Sequence, residues 1–110
     1  MASAIEVFRY RAEDGHEPFT EWLLSLRDKQ AQARVRIRLR RLEAGLFGGV
    51  GTIGGGLFEL KEHHGPGYRV YFGLRSGTLV LLLCGGTKST QSRDIATARA
   101  YWADWKRRQA

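Results

Sequence analysis

Apolar and polar positions alternate with different periods along this 110-residue chain, and each change of period marks a new element. Ile5, Val7 and Tyr10 with Phe8 predict a short strand over about residues 4–10. Pro18 can open a helix, because its fixed φ suits a first helical turn. Phe19, Trp22, Leu23 and Leu26 then recur at i, i+3, i+4 and i+7, which is a helical stripe. Arg27-Asp28-Lys29 reads as a tight connection. The next segment fits two periods. Ala31, Ala33, Val35, Ile37 and Leu39 alternate with polar residues as a strand would, yet Ala31, Val35, Leu39 and Leu42 also form a helical stripe. Length and the wealth of Ala, Arg, Gln and Leu favour a helix over about residues 30–44, stopped by Gly45. So short a link makes the two helices an antiparallel hairpin.

Glycines from Gly45 to Gly56 predict a loop. Three strands follow, about Leu57–His63, Tyr68–Arg75 and Thr78–Cys84, joined at Gly65-Pro66-Gly67 and Ser76-Gly77. A last helix over about Thr90–Lys106 is marked by Ile95, Ala98, Trp102 and Trp105, with Ser89 or Thr90 as its cap. The fold class is therefore α+β: strand, two helices, an antiparallel three-strand meander and a C-terminal helix, in one domain over residues 1–110.

Side-chain alternation assigns faces to the meander. Val70, Phe72 and Leu74 share one face with Phe58 and Leu60. Arg69, Tyr71 and Arg75 share the other with Glu59, Lys61 and His63. A three-residue turn at Gly65-Pro66-Gly67 would pair His63 with Arg69, Lys61 with Tyr71 and Leu60 with Phe72. The apolar face would meet the helices and the polar face would stay open.

Charge sharpens that picture. Eighteen Lys and Arg oppose eleven Asp and Glu, a formal net charge of +7. A body this small and this basic favours a polyanionic partner such as nucleic acid, an anionic membrane or an acidic protein, although a plain solubility charge would look the same. Cys84 is the one cysteine, so no internal disulfide can form, and a cytoplasmic location is expected. The N-terminus does not read as a signal peptide, and the run Leu79–Cys84 is too short to cross a bilayer, so no membrane is expected. His63-His64 makes a poor metal site, because neighbouring strand residues point to opposite faces; no metal and no other cofactor is expected.

An open face bearing Lys61, His63, Arg69 and Tyr71 suits RNA. Arg can hold a phosphate through two parallel hydrogen bonds, and Tyr71 or His63 could stack on a base. Metal-free cleavage needs a base for the 2′-hydroxyl, an acid for the leaving oxygen and positive charge at the phosphorus. Lys61, His63 and Tyr71 are the acid–base candidates and Arg69 the charge stabiliser. Arg34, Arg38 and Arg41, in a run of five arginines, together with Arg75, are candidate RNA-binding residues. Each has a bland reading as a solvated surface charge. Trp102 and Trp105 read as core or docking residues.

Three stretches carry a resemblance: Phe58-Glu59-Leu60-Lys61, then Gly65-Pro66-Gly67-Tyr68-Arg69-Val70-Tyr71-Phe72, then Leu81-Leu82-Leu83-Cys84-Gly85-Gly86-Thr87-Lys88-Ser89-Thr90-Gln91. With Phe19-Thr20-Glu21-Trp22-Leu23 and Asp94-Ile95-Ala96-Thr97-Ala98, they make the chain resemble the phage-derived Gp49-like, HigB-type branch of the RelE/ParE toxin superfamily, the addiction-module killer proteins. The resemblance implies a β-α-α-β-β-β-α RelE-like fold and the toxin of a type II toxin–antitoxin module. It implies an endoribonuclease that cuts mRNA on the ribosome without a metal, and a cognate antitoxin, usually a helix-turn-helix DNA-binding protein. Arg69 matches the family's catalytic arginine. Lys61 and Lys88 match positions where relatives carry basic residues. The C-terminal helix with Lys106, Arg107 and Arg108 departs from members that end in a tail with a catalytic tyrosine. ParE-type members share the fold but poison DNA gyrase, and gyrase inhibition is the alternative function; a plain RNA-binding module is a third.

Overall fold

In the computed structural model, which describes residues 5–109, the chain runs β1 (Glu6–Arg9), α1 (Pro18–Ser25), α2 (Lys29–Glu43), β2 (Val50–Gly54), β3 (Leu57–Glu62), β4 (Tyr68–Arg75), β5 (Leu79–Thr87), a single 3₁₀ turn (Lys88–Thr90) and α3 (Gln91–Gln109). The expected start of the first strand at Ala4 lies outside the described residues.

The ambiguous segment is a helix, and burial shows why. Ala31, Val35, Leu39 and Leu42 are buried, whereas Ala33 and Ile37, which a strand would also bury, face solvent. Both ends are capped. The Asp28 carboxylate accepts from the backbone N–H of Gln30 at 2.9 Å and of Ala31 at 3.2 Å. At the other end Gly45, with φ of +82°, donates to the Leu42 carbonyl, while Leu46 donates to that of Arg41. That is a Schellman stop, which a residue with a Cβ fills only under strain.

The stretch Gly45–Gly56 is not all loop. Val50–Gly54 forms β2, which pairs antiparallel with β3 and is irregular between Thr52 and Gly54. Its few apolar residues among glycines carry little local signal, and pairing with β3 supplies the hydrogen bonds that fix it. The sheet has five strands in the order β1-β5-β4-β3-β2. β3, β4 and β5 are the expected antiparallel meander, and β1 adds parallel to β5.

The β3–β4 register differs from expectation by two residues. Lys61 faces Arg69, Leu60 faces Val70 and Glu59 faces Tyr71; His63 lies beyond the strand. Residues 63–67 form a longer turn than the glycine–proline–glycine triplet suggested, with Gly67 donating to the His64 carbonyl. A slip of two keeps side-chain parity, so the face assignments survive it.

The polar face, however, is not open. Both sides of the sheet are covered. On one, α1 and α2 bring Phe19, Leu23, Val35, Leu39 and Leu42 against Leu60, Val70, Phe72, Val80 and Leu82. On the other, Ala98 and Trp102 of α3 pack with Tyr10, Leu57, Tyr71, Leu81, Leu83 and Cys84. The approach of α3 requires Gly73, where a Cβ would overlap the Trp102 indole. The indole N–H also donates to the Gly55 carbonyl at 2.9 Å.

Candidate functional site

Where β3, β4, the end of β5 and the start of α3 meet, a cationic cluster forms on the α3 side of the sheet. Arg69 is at its centre, between Lys61 on β3 and Gly86 on β5. The residue is only 6% exposed; its guanidinium donates to the Tyr68 carbonyl at 3.2 Å, and its buried Nε has no partner. Among the described residues no carboxylate lies within ion-pair distance of it. A buried cation without a counter-ion is costly, and an incoming anion would relieve the cost.

Two lysines border Arg69. Lys61 is 39% exposed, with Nζ 3.6 Å from Glu59 Oε1. Glu59 is buried and also accepts from the Gln91 side chain at 2.8 Å, which ties β3 to the first residue of α3. Lys88 is exposed, and its backbone N–H donates to the Gly67 carbonyl at 2.9 Å. Gly67 lies beside both: a Cβ there would sit in ordinary van der Waals contact with an Arg69 Nη and the Lys88 side chain. Thr90 donates to the buried Asp94 carboxylate, which occupies the space over Gly86 that a side chain would need.

Tyr71 lies beneath this cluster, wholly buried, with its hydroxyl unpartnered. Burial first, and then the negative charges of Glu59 and Asp94, push its pKa well above the ordinary tyrosine value. Buried, it can neither stack on a base nor reach a reacting oxygen of a bound strand, so those two roles are corrected. Cys84 is buried close by, and desolvation raises its thiol to about 12, so it is not a nucleophile.

The other expected residues are dispersed. His63 is exposed in the turn after β3, and it is Lys61, not His63, that faces Arg69. Arg34 and Arg41 are exposed on α2, across the sheet from Arg69. Arg38 is engaged in structure. It donates to the Lys61 and Phe47 carbonyls and lies 3.6 Å from Glu62, with only 14% of its side chain exposed. Arg75, at the far end of β4, packs over the Trp105 ring at 5.2 Å. The structure thus brings Lys61, Arg69 and Lys88 together and leaves His63, Arg34, Arg38, Arg41 and Arg75 outside the cluster. Gln91, Thr90 and Asp94 were not anticipated as its supports. Glu59 alone had a signal, its shared parity with Lys61.

The family described as Phage derived protein Gp49-like (DUF891) matches residues 21–103. An "Uncharacterized protein" of Haemophilus influenzae is 46% identical over 81 residues, which cover 74% of this chain and 82% of that protein. The matched stretch contains the whole cluster, from Glu59 to Asp94. The chain belongs to the Gp49-like family, a RelE-like toxin family associated with toxin–antitoxin modules.

Proposed function

We propose that this protein is the toxin of a type II toxin–antitoxin module and cuts mRNA on the ribosome without a metal ion. The observation that carries the reading is Arg69: a buried guanidinium with no carboxylate partner, flanked by Lys61 and Lys88. In transesterification the 2′-hydroxyl loses its proton and attacks phosphorus. The 5′-oxygen leaves and takes up a proton, giving a 2′,3′-cyclic phosphate. Negative charge builds on the phosphoryl oxygens, where Arg69 offers a fork of donors and Lys61 and Lys88 offer point charges. Within the cluster Lys61, held in place by Glu59, is the group left to handle protons; His63 lies outside it, in the turn after β3. The cations the transition state needs are all side chains, so chelation under conditions that keep ribosomes intact should leave cleavage unchanged.

The partner is a cognate antitoxin, of helix-turn-helix type, that neutralises the toxin, and both act in the cytoplasm. No helix among the described residues is long and apolar enough to cross a membrane. One observation favours the gyrase reading instead. With Tyr71 buried and Arg69 nearly so, few groups reach solvent at the site. Inducing the wild type and Arg69→Ala in cells, while mapping transcript ends and gyrase–DNA adducts, decides between them. The nuclease reading expects new transcript ends that fall by about 10²–10³ in Arg69→Ala. Growth arrest with uncut transcripts and accumulating adducts would establish gyrase as the target.

A further inference from the structure

On the side of the sheet away from Arg69, α1 and α2 leave part of the apolar face uncovered. Phe47, just after α2, stacks on Phe72 with ring centres 6.4 Å apart, and Phe58 stacks on Phe72 at 5.6 Å. Beside these rings is a hollow of about 180 Å³, walled by Phe47, Val50, Phe58, Phe72 and Leu74, whose lining presents no polar surface. Four of the five are only half-buried, so the protein's own helices do not close it. A second hollow, of about 620 Å³, adjoins the same Leu46–Val50 segment and is walled by Arg38, Arg41, Leu46, Gly48, Gly49 and Glu62. Glu62 is engaged there with Arg34 and Arg38, at 3.8 and 3.6 Å. Arg41 pairs with no carboxylate among the described residues, and neither do Arg36 and Arg40. α2 as a whole carries five arginines and a lysine against one glutamate. Apolar side chains stand among these charges: Leu46 is 63% exposed, and Ile37, one turn before Arg41, is exposed as well.

We propose that the two hollows dock an acidic segment of a protein partner, with one aromatic or branched apolar side chain in the apolar hollow and carboxylates on Arg41 and its neighbours on α2. Phe58 walls one hollow and Glu62 the other, four residues apart on β3, a separation of about 13 Å. Roughly four residues of extended chain, or nine of helix, link an apolar anchor to its carboxylates across that distance. Other occupants fit less well. A nucleic acid would satisfy the arginines but would bring its polar base edges to a hollow with no polar group to meet them. A second copy would set two bodies of charge +7, and two sets of α2 arginines, against each other. A membrane takes up protruding apolar side chains and leaves a hollow unfilled. The proposal uses no residue of the Arg69 cluster and holds whatever that cluster acts on.

The test begins with an array of glutamate-rich peptides, each with one phenylalanine, leucine, isoleucine or tryptophan at a different position, probed with the full chain. The strongest binder, labelled with fluorescein, is then followed by anisotropy at fixed salt. Exchanging its apolar residue for serine should weaken binding at least about ten-fold. Val50→Trp, which fills the apolar hollow, should do the same. Arg41→Glu should weaken binding about ten-fold at an unchanged melting temperature. Arg27→Glu, which makes the same change of net charge at the other end of α2, should bind as wild type does. Arg41 is exposed, so its variant keeps the test decisive should Val50→Trp fail to fold. The proposal is overturned if no peptide binds, if the serine peptide binds equally well, or if Arg41→Glu and Arg27→Glu weaken binding equally. It is also overturned if octa-uridylate RNA binds the wild type and not Val50→Trp, which gives the hollow to nucleic acid. A wild-type dimer in sedimentation that Val50→Trp dissolves gives the hollow to a second copy and overturns it too.

Discussion

Arg69 and Tyr71 are neighbours in parity and opposites in chemistry. Arg69 carries a buried charge without a counter-ion, and Tyr71 a buried hydroxyl without a partner. Neither arrangement favours the folded state, because each group has left water for no hydrogen bond of equal strength. Replacing such groups by apolar isosteres is therefore tolerated. Arg69→Met should melt at or above the wild-type temperature while abolishing transcript cleavage, a separation that an ordinary structural arginine would not give. Tyr71→Phe should retain cleavage and shift stability by no more than about 0.5 kcal/mol, since its hydroxyl is neither bonded nor ionisable near neutral pH. Loss of cleavage in a well-folded Tyr71→Phe would restore the hydroxyl to the mechanism.

At the scale of elements, α2 and α3 are fixed by different means. α2 is specified locally: Asp28 caps it, Gly45 stops it, and one stripe is apolar. Asp28 also bonds His64 at 2.9 Å, and that contact, ahead of the backbone bonds, holds its carboxyl below the usual value of 3.8. Asp28→Ala should lower the melting temperature by a few degrees, measured by circular dichroism. The placement of α3 depends on long-range fit. Trp102 lies flat on Gly73, and the Gly55 carbonyl takes its N–H. Gly73→Ala should cost roughly 1–3 kcal/mol in urea unfolding through overpacking. Should the Trp102 side be loose enough to yield, the midpoint would not move.

The whole molecule combines a charge of +7 with carboxylates that are mostly engaged. Asp14, Glu17, Asp28 and Asp104 all have pKa values lowered by hydrogen-bond partners: His16, Arg11, His64 and Tyr10 respectively. A carboxyl depressed in the folded state stabilises it fully above its unfolded value. That contribution fades as pH falls through the folded value. Stability should therefore hold at neutral pH and decline below the unfolded values of 3.8 for Asp and 4.5 for Glu. His16, raised by Asp14, acts in the opposite sense: its contribution is full below 6.5 and is lost as pH rises through its folded value. Thermal melts across pH 2–8 check both signs. RNA affinity should fall linearly on a log–log plot against salt, because phosphate contacts release counter-ions.

Side-chain parity, the helical stripes and the cationic character of the β3–β4 pair were all legible in the sequence. Each depends on local periodicity or on counting charges. Val70 and Phe72 were separated from Arg69 and Tyr71 by alternation alone, and no slip of two residues could undo it. The register itself depends on how many residues the turn at 63–67 absorbs, and the sequence offered several ways to fold glycine and proline there. β2 required a partner strand before its backbone could pair. The covering of Arg69 and Tyr71 was decided by tertiary structure alone. α3 could have packed elsewhere along its length, and the absence of a side chain at Gly73 and Gly86 matters only once Trp102 and Asp94 come down over them. Local pattern says which residues share a face; long-range packing decides whether that face meets water.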